Sequence, residues 1–238
     1  MDKVARGVAE VRGDDATHLT RVLRVEAGQR FEISDNERVF LAEVAVARKD
    51  RVEFRTIEEL SVDEPPAGVT LYAALIKFDR FEWIVEKATE LGVETIVPVD
   101  TARCEKGLAQ AAQKRVERWR RIAKESSQQS RRARMPEIED PRRLEDVAAP
   151  ASPGLALEEN PGSPPLAAAL AEIWAAIAPP GFVEVSLLVG PEGGWTDGER
   201  EWLPLHGWTG VSLGRQILRA ETAAIAALSI AAHAGYNR

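Results

Sequence analysis

The chain has 238 residues, of which 45% are hydrophobic and 29% charged, so a disordered, collagen-like or coiled-coil protein is excluded. No apolar stretch approaches the roughly 18 residues that a membrane-spanning helix needs, and the N-terminus lacks the apolar segment of a secretion signal. We therefore expect a cytoplasmic protein that does not enter a membrane. The single cysteine and three scattered histidines argue against disulfides and against a protein-bound metal.

Charge is distributed unevenly along the chain, although the formal net charge is only -7. Between Lys114 and Arg134, nine basic residues and two acidic ones give a local charge of +7. Between Met135 and Val185, nine acidic residues and two basic ones give -7. A polyanion responds to the local field, so the basic stretch is a candidate nucleic-acid footprint. A solvated helix face that is rich in arginine is the alternative interpretation.

The first sixty residues are typical of a small β-domain, with short β segments around one helical turn. The segments are Val4–Val11, Asp14–Leu23, Arg30–Ile33, Val39–Val46 and Val52–Leu60. Two prolines, two acids and a glycine then occur without periodicity in Ser61–Gly68, which indicates a linker. We place a first domain, a small barrel or sandwich, at residues 1–62.

From Val69 to the end of the chain, strand and helix patterns alternate, which is typical of an α/β domain with a largely parallel sheet. We place this second domain at residues 69–238. The predicted strands are Val69–Ile76, Thr95–Val99, Gly154–Glu158, Ser186–Val189 and Val211–Leu213. The predicted helices are Asp79–Leu91 with an Asp79–Glu82 capping box, a long helix about Gln110–Arg132, Leu166–Ala178, one after Thr196 and one from Ala220.

A glycine-rich segment, Gly190–Gly194, follows an apolar strand and precedes a Thr196-x-x-Glu199 capping box. Glycines allow a ligand to lie against bare backbone, and N–H groups at a helix start can bind polar ligand atoms. The segment matches neither the dinucleotide-binding pattern nor the phosphate-binding loop, which argues against a nicotinamide-dependent enzyme. A tight strand-to-helix turn that needs glycine is the alternative.

A second unusual segment, Val211–Ala223, contains a short strand, a polar loop and the start of an alanine-rich helix. Arg215, Arg219, Glu221 and Thr222 are crowded within it. Ligands of open α/β sheets bind beyond the carboxyl ends of the strands, so we predict that both segments share one pocket. A simple Arg–Glu ion pair is the alternative explanation for the crowding.

Together the two segments resemble the signature motifs of the bacterial 16S ribosomal RNA (uridine-N3) methyltransferase family, within the SPOUT superfamily. The matching residues are the Gly-Pro-Glu-Gly-Gly of Gly190–Gly194 and the Leu-Gly-Arg-Gln-Ile-Leu-Arg-Ala-Glu-Thr-Ala of Leu213–Ala223. The resemblance extends over nearly the whole chain, through His18-Leu19, Val22–Arg24, Gly28, Lys77, Glu82, Lys87–Val93, Pro98, Arg118-Trp119 and Gln129–Arg131.

The resemblance implies a PUA-like β-barrel followed by a SPOUT-type α/β domain whose C-terminal strands and loops form a trefoil knot. It also implies S-adenosyl-L-methionine (SAM) as cofactor, 16S ribosomal RNA or the small ribosomal subunit as partner, and a homodimer. Two alternatives remain open: a non-catalytic RNA-binding protein, and a SPOUT methyltransferase that acts on transfer RNA.

The resemblance also implies roles for individual residues. The expected cofactor contacts are Leu188, Val189, Gly190, Pro191, Gly194, Leu213, Gly214, Ile217, Leu218, Arg219, Thr222 and Ala223. We expect Glu221 or Glu192 to assist removal of the uridine N3 proton, and Arg219 to stabilise the charge that develops on the base. The expected RNA contacts are His18, Arg21, Arg24, Lys77, Arg118, Arg131 and Arg132. Trp119 is expected either to stack a base or to belong to the core.

Overall fold

The computed structural model describes residues 4–62, 67–147, 149–150, 152–160, 162–176 and 182–234. The chain divides into two compact units, Met1–Glu64 and Pro65–Arg238, and the division falls within the predicted linker Ser61–Gly68. Residues 1–3, 63–66 and 235–238 of the predicted domains and linker lie outside the described residues.

Within its described residues, 4–62, the first unit contains four strands and one helix. The elements are β1 (Val8–Arg12), α1 (Gly13–Arg21), β2 (Arg30–Ser34), β3 (Val39–Arg48) and β4 (Arg51–Leu60). The strands form an antiparallel sheet in the order β1-β4-β3-β2. Alternate side chains such as Ala42 and Val44 on β3, and Val52 and Phe54 on β4, form its core, as a period of two requires.

Two expectations for the first unit differ from the structure. The predicted β segment Asp14–Leu23 contains the helix α1, because Ala16 is buried and Leu19, three residues later, packs on the same core. The predicted strand Val4–Val11 begins only at Val8. Arg6 and Gly7 have positive φ values of 52° and 77°, and this left-handed backbone interrupts an extended chain.

The second unit contains a parallel sheet and six α-helices within its described residues. The strands are β5 (Ala67–Ala74), β6 (Thr95–Asp100), β7 (Glu137–Ile138), β8 (Arg142–Arg143), β9 (Gly154–Leu157), β10 (Val183–Val189) and β11 (Trp208–Val211). The helices are α2 (Phe78–Glu90), α3 (Leu108–Ala112), α4 (Val116–Gln129), α5 (Leu166–Ala175), α6 (Asp197–Leu205) and α7 (Ala220–Ala234). The sheet order is β11-β9-β10-β5-β6-β7, with β8 also paired to β6, and every pairing is parallel.

The sheet of the second unit is covered on both faces, so its strands are apolar on both sides. Leu187 of β10 faces a core that contains buried residues of α2, α4, α5 and α7. The next residue, Leu188, faces the opposite core with Trp195, Leu203 of α6 and Trp208. None of the described helices is long and apolar enough to cross a membrane.

The predicted helix Gln110–Arg132 is wrong, because two helices, α3 and α4, occupy this region. Between them the amides of Lys114 and Arg115 donate to carbonyl oxygens three residues back, and this tighter turn interrupts the α-helical pattern. Helix α4 then ends before Arg131, whose φ is +56°. The Arg132 amide donates to the Ser127 carbonyl oxygen at 2.9 Å, which completes a Schellman stop.

The remaining boundaries differ in smaller ways. The Asp79–Glu82 capping box is wrong, since α2 begins at Phe78 without a side-chain cap and Glu82 bonds Arg118 instead. The strand predicted at Val211–Leu213 lies at Trp208–Val211, where it pairs with β9. Residues 177–178 of the helix predicted to end at Ala178 lie outside the described residues. The Thr196–Glu199 capping box is confirmed, with both of its hydrogen bonds present.

Trp119 belongs to the core of the second unit and does not stack a base. Its side chain is fully buried, and its ring centroid lies 4.5 Å from that of Phe81 and 6.0 Å from that of Phe78. The indole N–H has no hydrogen-bond partner among the described residues. Packing of the ring, rather than a polar contact, therefore accounts for its role.

We expect Trp119→Ala to lower the free energy of unfolding by about 3–5 kcal/mol, because it leaves a large cavity. Trp119→Phe should cost less, since it keeps most of the ring contacts and loses no hydrogen bond. Denaturant unfolding measures both values. The matched control is Trp83→Ala on α2, whose side chain is 46% exposed and whose loss should cost under about 1 kcal/mol. Equal losses for the two alanine variants would contradict this assignment.

Candidate active site

A cleft with about 730 Å³ of space, counted to its open mouth, lies beyond the carboxyl ends of β9, β10 and β11. Leu157 at the end of β9, Val189 at the end of β10 and Ser212 just after β11 all line it. Carboxyl ends of parallel strands meet at one edge of a sheet, and this edge is where ligands of such sheets bind. The two motif segments, distant in sequence, therefore form the walls of a single cleft.

Most of the expected cofactor contacts line this cleft. They are Val189, Gly190, Pro191, Gly194, Leu213, Gly214, Ile217, Leu218 and Ala223. Leu188, Arg219 and Thr222 do not line it. The Leu188 side chain is buried in the core that contains Trp208 and Leu203 of α6. Arg219 and Thr222 are exposed.

The glycine-rich loop is held in place by Trp195, which also lines the cleft. The indole N–H of Trp195 donates to the Leu157 carbonyl oxygen at 2.8 Å, so the loop after β10 is bonded to the end of β9. A Cβ atom on Gly190 would lie 3.1 Å from the Trp195 ring, closer than most such contacts. Packing against the indole therefore disfavours a larger residue at Gly190, and the approach of a ligand to its bare backbone stays a prediction.

Arg103, in the loop after β6, holds the same glycine loop from another side. Its Nη1 atom donates to the Gly193 carbonyl oxygen at 2.6 Å, and a Cβ atom on Gly193 would lie 3.2 Å from the Arg103 Cβ atom. The neighbouring amide of Ala102 donates to the Glu199 carboxylate at 2.9 Å. The cleft wall is thus anchored to a part of the chain about 90 residues away, and no spacing pattern in the sequence indicates this contact.

The second motif forms the exposed wall of the cleft. The Ser212 amide donates to the Pro164 carbonyl oxygen at 2.8 Å, and the Leu166 amide donates to the Ser212 carbonyl oxygen at 2.9 Å, which ties the loop to the start of α5. Beyond this point Ile217 is 78% exposed. An exposed isoleucine on a cleft wall provides apolar surface that a bound ligand would cover.

An acidic corner of the cleft was missed by the sequence analysis. It contains Glu158 and Glu159, directly after β9, together with Arg200 of α6. Burial raises the pKa of Glu158, and the Arg200 guanidinium, 3.4 Å away, opposes that shift. The available signal was the position of two adjacent acids at the carboxyl end of a predicted strand.

The two expected catalytic carboxylates differ in exposure. Glu192 lines the cleft and its side chain is 43% exposed, whereas Glu221, in the first turn of α7, is 5% exposed and does not line the cleft. Arg80 of α2 contacts both, and it was also missed because it lies outside both motifs. Exposed Arg219 directly precedes α7 and has no side-chain hydrogen bond or ion pair with any described residue.

The expected RNA contacts fall into two groups. In the first unit His18, Arg21 and Arg24 are exposed on and after α1. In the second unit Lys77 and Arg131 are exposed too, but two arginines are already engaged. Arg118 bonds Glu82 at 2.6 and 2.8 Å, and Arg132 donates to the Thr89 carbonyl oxygen at 2.9 Å. Burial also lowers the pKa of Arg132.

Within the described residues no group of three or more His, Cys, Asp or Glu side chains is arranged to hold a metal ion. The chemical groups that the cleft offers are apolar walls, loop backbone, carboxylates and the guanidinium groups of Arg200 and Arg215. Such a cleft suits an organic ligand that carries both an apolar ring and charged groups.

Two family models match the chain. An RNA methyltransferase domain matches residues 63–232, and an RNA methyltransferase PUA domain matches residues 11–57. The ribosomal RNA small subunit methyltransferase E of Synechocystis sp. is 36% identical over 89% of this chain and 68% of its own length. The protein of the same name from Aquifex aeolicus is 32% identical over 92% of each chain.

Solved structures agree with these matches. The ribosomal RNA small subunit methyltransferase E of Neisseria gonorrhoeae bound to S-adenosyl methionine has a TM-score of 0.81 and 28% identity, over 96% of this chain and 92% of that one. The expected fold class, a SPOUT-type α/β domain after a small PUA-like domain, is confirmed. We conclude that the chain belongs to the ribosomal RNA small subunit methyltransferase E family.

Proposed function

We infer that this protein is a SAM-dependent methyltransferase that methylates N3 of a uridine in 16S ribosomal RNA. The observation that carries this conclusion is the convergence of the loops Gly190–Gly194 and Leu213–Leu218 on one cleft, in a chain of this family. Relatives of the same architecture have been solved with S-adenosyl methionine bound. A non-catalytic RNA-binding protein would not need such a cleft.

The residues of the cleft fit SAM. Apolar side chains of Leu157, Leu213 and Ile217 provide surface for an adenine ring, and the adjoining loops provide backbone groups for its polar atoms. SAM also carries a sulfonium and an ammonium group. The carboxylates of Glu158 and Glu159 lie on the cleft wall to attract these positive charges.

Bound SAM supplies an activated methyl group, so the chain's own residues mainly have to orient the uridine and accept its N3 proton. Uridine N3 is a poor nucleophile until that proton leaves. We assign the acceptor role to Glu192, because it faces the cleft while Glu221 is buried beside it. To Arg219, which is exposed and unpaired within the described residues, we assign the stabilisation of negative charge on the base carbonyl oxygens.

The N3 atom lies on the Watson–Crick edge, so the target uridine must be unpaired or flipped out of a helix. We assign RNA phosphate contacts to exposed His18, Arg21 and Arg24 of the first unit, and to Lys77 and Arg131 of the second. A homodimer and a cytoplasmic location with the small ribosomal subunit belong to the same proposal. Analytical ultracentrifugation tests the dimer.

Incubation with methyl-labelled SAM and small ribosomal subunits from cells that lack the modification tests the function directly. We expect the label in N3-methyluridine after digestion of the 16S RNA. Bulk transfer RNA is the control substrate, and it should remain unlabelled. Label in transfer RNA alone would replace the proposed substrate, and SAM binding without any labelled RNA would refute methyl transfer to either.

We expect Arg219→Ala to lower kcat by about a hundredfold, because it removes a charge that acts on the developing anion. The Kd for SAM should change less than about threefold, since the side chain does not line the cleft. Arg219→Lys is the matched variant and should retain part of the activity. A loss confined to SAM binding would overturn the assigned role.

We expect Glu158→Gln to weaken SAM binding about tenfold or more, because it removes a largely buried carboxylate from the cleft. Burial raises the pKa of Glu158, so its charge is lost at a higher pH than that of an ordinary glutamate, and the wild-type affinity should fall as the pH is lowered through that pKa. The Glu158→Gln variant should lack the part of this fall in affinity that comes from protonation of Glu158. Calorimetric titration of SAM at several pH values measures it, and Glu201→Gln, an exposed position of α6 that does not line the cleft, is the control. Identical pH dependence in wild type and Glu158→Gln would exclude the contact.

A further inference from the structure

Arg80 contacts carboxylates from both motifs at once. Its Nη1 atom donates to Glu192 Oε1 at 3.0 Å, and its Nε atom lies 3.9 Å from Glu221 Oε1. Glu192 belongs to the glycine loop after β10, and Glu221 belongs to the first turn of α7. A single guanidinium on α2 therefore connects the two segments that form the cleft.

The burial of Glu221 makes this contact important. The side chain is only 6% exposed, and its Oε2 atom has no hydrogen-bond partner among the described residues. A buried carboxylate without a compensating partner is strongly unfavourable. Arg80 is the only cation that forms an ion pair with Glu221 in the described part of the chain, although the N-terminus of α7 also favours negative charge there.

We propose that Arg80 is a positioning residue that acts through Glu192 and Glu221 to hold the two motifs in the arrangement that methyl transfer requires. The inference rests on the proposed function, because it concerns the carboxylate assigned to accept the proton. The planar guanidinium presents donors in more than one direction, so it can bond two carboxylates at once. A lysine ammonium at the same place would keep the charge but lose this fixed geometry.

The remaining charged groups of the cleft do not substitute for Arg80. Arg200 pairs with Glu158 and with Asp197 at 3.4 and 3.5 Å. Arg215 also lines the cleft, and no ion pair joins it to Glu192 or Glu221 within the described residues. The link between the two motif carboxylates thus depends on α2.

Arg103 provides a matched comparison. It holds the same glycine loop through the Gly193 carbonyl oxygen, and it forms no ion pair with either motif carboxylate in the described residues. Loss of Arg103 removes support from the loop backbone alone. Loss of Arg80 removes the connection between the carboxylates, so the two arginines separate these roles.

The test is a double-mutant cycle on the full chain, with SAM and small ribosomal subunits that lack the modification. The variants are R80A, R80K, R103A, E221Q, R80A/E221Q and R103A/E221Q. We expect R80A to lower kcat at least about tenfold with less than about a threefold change in the Kd for SAM, and R80K to recover part of the loss. In the E221Q background, R80A should cost at least about threefold less than in the wild type, while R103A should cost the same in both.

The inference fails if R80A and R103A are both additive with E221Q in kcat and in Tm, because Arg80 would then support the loop and nothing more. The Tm of each variant in the same cycle is also measured by thermal unfolding, and this second readout does not depend on the proposed function. Non-additive shifts in Tm for R80A/E221Q support the link even in a protein without methyltransferase activity. Additive Tm shifts for R80A/E221Q, together with additive changes in kcat, overturn the link. If R80A does not fold, R80K and R80K/E221Q replace it, with the same expectation of non-additivity.

Discussion

The buried indole of Trp195 connects the structural parts on which the cleft depends. Its ring packs against Gly190 and lies in the core under α6, and its N–H donates to the end of β9. The loop after β10 therefore cannot move away from β9 without breaking this partly buried hydrogen bond and opening a void. This constraint fixes the inner wall of the cleft and leaves the second loop, which contains Ile217, as the exposed wall.

The glycines of the first motif illustrate how packing and ligand binding are combined. A Cβ atom would be tight against the Trp195 ring at Gly190 and against the side chain of Arg103 at Gly193. The backbone that remains exposed to the cleft is held rigidly because protein side chains occupy its other faces, and such rigidity keeps binding groups oriented before the ligand arrives.

The charge pattern of the sequence overstates the positive charge that is free to bind RNA. In the stretch Lys114–Arg134, Arg118 pairs with Glu82, Arg120 pairs with Glu117, and Arg132 bonds a backbone oxygen. These arginines stabilise the packing of α2, α4 and their neighbours. Partial neutralisation leaves a smaller set of exposed cations for phosphate contacts, shared between the two units.

The sequence by itself determined two kinds of feature. One kind depends on residues within about four positions of each other, and the other depends on where a strand ends. These include the α/β alternation, the Thr196–Glu199 capping box and the location of the cleft beyond β9, β10 and β11. It failed where a local break interrupted a continuous pattern, as between α3 and α4. Only the tertiary structure brought Arg80 and Arg103 to the glycine loop, since these contacts join residues 112 and 90 positions apart. Periodicity reports which face of an element is apolar, whereas the partner of a charged side chain is decided by how distant elements pack.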